Sequence, residues 1–110
     1  MVFKKILTKK ELKGVVKEFR AALKKDGIVV SGLILFGSYA KGRPRPWSDV
    51  DVCVLSKQFG RDDFEEMLRV SKIAKNVNYL LEAHPMHPHD FSNDLHPLAA
   101  EIRKTGKPTH

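Results

Sequence analysis

Two apolar segments joined by a short, stiff connection constrain this chain most. Ile28 to Phe36 is apolar nearly throughout and runs into Gly37-Ser38. Such a segment reads as a strand, central in its sheet because both faces are apolar. Ten residues after Ser38, the run Ser48-Asp49-Val50-Asp51-Val52-Cys53-Val54 alternates strictly. Period two marks a second strand over 49–55, with Asp49 and Asp51 on one face and Val50, Val52 and Val54 on the other. Between the strands, Ser38 to Lys41 predicts a short helix ended by Gly42. In the following loop, Pro44 and Pro46 each hold a fixed φ. About a dozen residues is near the minimum for a parallel crossover, so the two strands are expected to be antiparallel. That pairing brings Gly37 and Ser38 beside Asp49 and Asp51.

The rest of the chain surrounds this pair with helices. Thr8 with Glu11 makes a capping box, and Leu12, Val15, Val16, Phe19 and Leu23 form one stripe. Gly27 follows the stripe, so helix 1 covers residues 9–25. Its outer face carries Lys10, Lys13, Lys17, Arg20 and Lys24, a pattern that most often belongs to a solvated face. Asp62 with Glu65 starts a helix whose expected apolar face is Phe64, Met67, Leu68 and Ile73. Val77 to Ala83 reads as strand 3, with Glu82 on the face opposite Tyr79 and Leu81. After a Pro/His-rich loop, a last helix starts after Asp94 with Leu95, Leu98 and Ile102. It has Pro97 in its first turn and ends at Gly106. Residues 107–110 read as a frayed tail. The expected fold is α/β (α+β): a small mixed sheet of three or four strands flanked by helices. Strands 2 and 3, with a helix between them, are expected to be parallel.

Length and composition set outer limits. A chain of 110 residues is expected to be one domain, spanning 1–110. No apolar run nears the roughly 20 residues that span a bilayer. The start, Met1 to Lys5, lacks a secretory apolar region, and Cys53 is the single cysteine. The expected location is the cytoplasm. A net charge of +7 favours acidic partners such as nucleotides, nucleic acid or an acidic protein without choosing among them.

The two-strand unit suits phosphate and metal chemistry. Gly37 lets the backbone approach a ligand closely. Ser38 stands at the mouth of the short helix, where unpaired N–H groups favour a phosphate. Mg²⁺ prefers oxygen ligands and takes one or two carboxylates plus substrate phosphates, which Asp49 and Asp51 would provide. A two-metal site stabilises both the attacking and the leaving oxygen of an in-line displacement. The Ser48 hydroxyl is placed to bond a nearby backbone N–H, and Lys41 points outward near the phosphate. Glu82 is the candidate third carboxylate, as metal ligand or general base; Asp90 competes with it.

With those residues in view, the chain resembles the minimal nucleotidyltransferases (MNT) of the DNA polymerase β-like nucleotidyltransferase superfamily. The match lies in Leu35-Phe36-Gly37-Ser38-Tyr39-Ala40-Lys41-Gly42 and Ser48-Asp49-Val50-Asp51, and more loosely in Leu98 to Gly106. The resemblance implies transfer of a nucleoside monophosphate from an NTP such as ATP to a hydroxyl, with release of pyrophosphate. It implies Mg²⁺ at Asp49 and Asp51, triphosphate at Gly37 and Ser38, and a third acid at Glu82. Relatives are often encoded beside a helical HEPN-domain toxin, which implies an antitoxin that adenylylates or binds its partner. A second copy of the chain is a further candidate partner.

Two rival readings stand beside the enzyme. One is a docking module with a vestigial site; the other is a nucleic-acid binder using helix 1, whose affinity would fall steeply with salt. Other residues have two readings each. His84, His87, His89 and Asp90 hold zinc-ligand side chains without zinc-site spacing, and read as a polar loop. Arg43 and Arg45 either touch phosphate or are solvated. Trp47 is a lid over the core or a contact for a nucleobase or partner. Tyr39 is a packed aromatic or a nucleotide acceptor.

Overall fold

A computed structural model describes residues 6–109. The chain order is α1 (Lys9–Lys25), β1 (Gly32–Phe36), α2 (Gly37–Ala40), β2 (Val50–Leu55), α3 (Asp63–Val77), β3 (Leu81–Met86), α4 (Pro88–Phe91), α5 (Pro97–Thr105) and β4 (Lys107–Pro108). The four strands form one mixed sheet in the order β3-β2-β1-β4. β1 and β2 are antiparallel, as the short connection requires, and β2 and β3 are parallel around α3.

Helix α1 forms where its caps predict. The Thr8 hydroxyl accepts the Glu11 N–H at 3.1 Å, and the Glu11 carboxylate accepts the Thr8 N–H at 3.0 Å. These bonds satisfy donors that a helix start leaves unpaired. Its stripe buries Val16, Phe19 and Leu23. Together with Val70 and Ala74 of α3, they cover the sheet face made by Leu33, Leu35, Val50, Val52, Val54, Leu81 and Ala83. The opposite face presents Ile34, Phe36, Cys53, Leu55 and Met86, covered by Ala99 and Ile102 of α5. Val50, Val52 and Val54 are thus separated from Asp51 and Cys53 by the pleat, as the alternation predicts.

Several expected boundaries move. β1 begins at Gly32, not Ile28; Val29, expected in the strand, is exposed. The short helix covers Gly37–Ala40, one residue earlier than its expected span. α3 runs on through Val77, and strand 3 is Leu81–Met86. Val77 is therefore helical, and the strand takes in His84, Pro85 and Met86. The physical reason is that Val70, Ala74 and Val77 continue the helical spacing into the start of the alternating segment read as a strand. The register of α3 also differs: Phe64, Met67 and Leu68 are exposed, and the buried residues are Val70 and Ala74. The last helix begins at Pro97, with the His96 ring accepting the Ala99 N–H at 3.2 Å. Leu95 consequently lies outside it, exposed. The tail is not frayed over its described part. Lys107 and Pro108 pair with Leu35 and Ile34, and the Thr109 N–H donates to the Leu33 carbonyl at 2.9 Å. Arg20 of α1 donates to the Thr109 carbonyl at 2.9 Å, closing that edge. Met1 to Lys5 and His110 lie outside the described residues.

Candidate active site

The β1-α2 junction and the start of β2 meet at one end of the sheet. Phe36 lies opposite Asp51 in the antiparallel register. Gly37 follows with φ +75°, a conformation that favours glycine. A Cβ on Gly37 would stand 2.4 Å from Oδ2 of Asp51. Backbone and carboxylate are thus in contact at a position where only a missing side chain permits it. The Asp51 side chain is 25% exposed. Asp49, expected as the first residue of strand 2, instead precedes β2 by one residue and is exposed.

Glu82 lies directly beside Asp51 in the parallel register of β2 and β3. Registered residues share a face, so Glu82 is on the strand and face expected of it. Its carboxylate, however, is held by Lys75 of α3, whose Nζ lies 3.0 Å from Oε1. His84 follows two residues later on the same face. Its Nε2 is 3.4 Å from Oδ1 of Asp51, and its ring meets Phe36 edge-on at 5.0 Å. Neither Lys75 nor His84 was assigned to the site from the sequence. For His84 a signal existed: it stands at i+2 from Glu82, but it fell beyond the expected strand end.

The remaining predicted residues divide. Ser38 sits at the start of α2 beside Gly37. The Ser48 hydroxyl accepts the Arg45 N–H at 2.7 Å and so braces the proline loop, the backbone bond expected of it. Lys41 points outward, 3.8 Å from Glu101. Tyr39 is buried, and its hydroxyl accepts the Leu7 N–H at 3.0 Å. Asp90 is in α4, past Met86 at the far end of β3, and lines a cleft with His87, His96 and Glu66. It is remote along the sheet from Asp51, because Met86 registers with Leu55. His87 and His89 pack together with ring centres 4.8 Å apart, on elements beyond the strand that carries His84.

The donor set is oxygen-rich and open to solvent. Among the described residues, no three of His, Cys, Asp and Glu converge on a point that would hold a metal ion. What the geometry offers is the Asp51 carboxylate against Gly37, with Asp49 exposed just before the same strand. That set fits a hard cation whose other ligands come from phosphate oxygens and water. Cys53, on the same face but fully buried, is no ligand candidate; burial pushes its thiol up to about 12.

The mixed four-stranded sheet thus carries Gly-Ser just past the end of β1, with Asp51 on the antiparallel neighbour β2 and Asp49 one residue before it. Residues 16–99 match the family model described as nucleotidyltransferase domain, and the chain belongs to that family. Solved structures agree on the fold. A Sulfolobus solfataricus protein, provisionally described as a nucleotidyltransferase, superposes with TM-score 0.63 at 17% identity, covering 88% of this chain and 78% of its own. A chain of a toxin-antitoxin complex crystallised with AMP-PNP gives TM-score 0.60 at 18% identity, covering 87% of this chain and 70% of its own. A search of curated proteins gives no match.

Proposed function

We propose that this protein transfers a nucleoside monophosphate, AMP in the first instance, from an NTP to a hydroxyl of a partner protein. In this reading it is the antitoxin of a toxin-antitoxin pair whose toxin is a helical HEPN-domain protein. The observation that carries the reading is the contact of Gly37 with Asp51 beside Glu82: a backbone cradle and carboxylates at one open end of the sheet. The toxin-antitoxin neighbour crystallised with AMP-PNP supports both the nucleotide and the setting.

The roles follow from position. Gly37 and Ser38 seat the triphosphate, with Lys41 and Ser48 near it. Asp49 and Asp51 would hold Mg²⁺, with Glu82 completing the set once it leaves Lys75. A Mg²⁺ held by these carboxylates would supply charge neutralisation to the phosphates and the reacting oxygens. The acceptor oxygen attacks the α-phosphorus, the bond to the bridging oxygen of pyrophosphate breaks, and Glu82 or another base takes the hydroxyl proton. Positioning and charge do most of the work in such transfers.

Lys75 on Glu82 favours a second reading, a docking antitoxin whose site turns over weakly. Label transfer from α-labelled ATP with Mg²⁺ into source-cell lysate decides between them. A labelled band with wild type and none with Asp49→Ala supports transfer and identifies its target. No label with any of the four NTPs, together with partner binding that survives Asp49→Ala/Asp51→Ala, supports docking.

A further inference from the structure

Trp47 is the only non-glycine residue among the described ones with positive φ, at +66°. Bulky side chains rarely take that conformation, and where they do the strain tends to accompany a functional position. Core burial does not compensate it, because Trp47 is 40% exposed. Its indole instead lies 6.1 Å from the ring of Tyr79, tilted by 41°, and Tyr79 is 60% exposed. Two large aromatic surfaces thus face solvent together.

Their place in the fold gives this pair a direction. Trp47 is two residues before Asp49. Tyr79 precedes Leu80, whose carbonyl accepts the Val50 N–H at 2.7 Å, so its turn abuts the start of β2. Lys75 Nζ donates to the Tyr79 carbonyl and to Glu82 Oε1, each at 3.0 Å. One ammonium therefore ties the aromatic turn to the third carboxylate. The rings stand at the rim of the carboxylate end of the sheet.

We propose that Trp47 and Tyr79 form a stacking platform for the nucleobase of the triphosphate. The proposal rests on the nucleotidyl-transfer reading of the same site. Every base has a π-face, so stacking tolerates base identity and grades it by ring area. The platform selects purine over pyrimidine nucleotides and separates ATP from GTP poorly.

The chain has one tryptophan, so its emission reports Trp47 alone. The test is titration of the full chain with Mg²⁺ and each NTP, or with Mg²⁺ and tripolyphosphate, followed by fluorescence and calorimetry. ATP and GTP should quench Trp47 and bind several-fold tighter than CTP and UTP. Tripolyphosphate should compete with ATP without quenching. Tyr79→Leu, and Trp47→Leu read by calorimetry, should weaken ATP on the order of tenfold while tripolyphosphate binding stays unchanged. Tyr79→Phe should bind ATP as wild type does. ATP binding with unchanged emission, or with wild-type affinity in both leucine variants, overturns the platform and leaves nucleotidyl transfer standing. Equal loss of ATP and tripolyphosphate in Tyr79→Leu overturns it in favour of a purely structural clamp. No binding of any nucleotide removes both readings.

Discussion

Gly37 and Asp51 are in contact: the hydrogen that Gly37 carries in place of a Cβ faces Oδ2 of Asp51, with room for nothing larger. Gly37→Ala therefore meets two penalties. The positive φ costs about 1–2 kcal/mol for any L residue. The new methyl must also displace the carboxylate, because 2.4 Å is far inside contact distance. The expected result is a lower melting temperature and loss of nucleotide binding, read by thermal denaturation and calorimetry. A variant that binds ATP normally would show that the Asp51 carboxylate is free to move.

Asp49→Asn and Asp51→Asn test the carboxylates with little change of shape. Both side chains reach solvent, so the fold should survive. Altering residues that merely support metal ligands typically costs about 10- to 100-fold, so if these carboxylates hold the metal as proposed, each change should lower transfer by at least about 100-fold. The measurement is the rate of label transfer beside a circular dichroism spectrum.

Lys75 and Glu82 make an ion pair in which each side chain is 43% exposed. Exposed pairs contribute about 0–1 kcal/mol, so Lys75→Met should barely move stability. If Glu82 serves the metal, freeing it should tighten Mg²⁺ or Mn²⁺ binding, measured by titration calorimetry in the presence of nucleotide. Unchanged metal affinity would assign Glu82 to a different task.

Glu66 accepts the N–H groups of Gly60, Arg61 and Asp62 at 2.8, 3.1 and 3.2 Å. Its slight burial acts to raise the carboxyl pKa. The three backbone bonds and the Arg61 charge outweigh this and hold it below the ordinary 4.5. A lowered folded pKa means the stabilisation is complete above the unfolded value and is lost as pH falls through the folded one. Glu66→Gln should melt lower than wild type at neutral pH, with the gap closing as pH falls below the ordinary carboxylate value. A gap independent of pH would assign the effect to packing.

Cys53 is fully buried, and burial raises its thiol from 9.0 to about 12. At pH 8 the buried thiol stays protonated, so a disulfide reagent should react only as fast as the chain opens. The sign for stability follows: the protonated thiol's contribution is complete below 9.0 and is lost as pH rises toward about 12. Rapid labelling of native protein would show that β2 is accessible.

The β1-α2-β2 unit was legible because its determinants are local. Alternation from Asp49 to Val54 set the faces, the dozen-residue connection set the antiparallel pairing, and Gly37 marked the sharp turn. The Thr8 and Asp62 caps set the starts of α1 and α3 for the same reason. Legibility failed where a segment's state depended on distant neighbours. Phe64, Met67 and Leu68 had the composition of a buried face, but the packing of α3 against α1 and the sheet chose Val70 and Ala74 instead. The tail was polar and short, and only the open edge of β1 made Lys107 and Pro108 a strand.

The chain itself determined that Gly37 meets Asp51, because the short connection pairs the end of β1 with the start of β2. Which further groups join them was decided in three dimensions. The parallel β2-β3 register brings Glu82 and His84 beside Asp51 and sends Asp90 to the far end. The reach of α3 across the Asn78-Tyr79 turn sets Lys75 on Glu82 and stands Tyr79 against Trp47. Residues dozens of positions apart met because hydrogen-bonded strands can pair in only one register that buries both apolar faces.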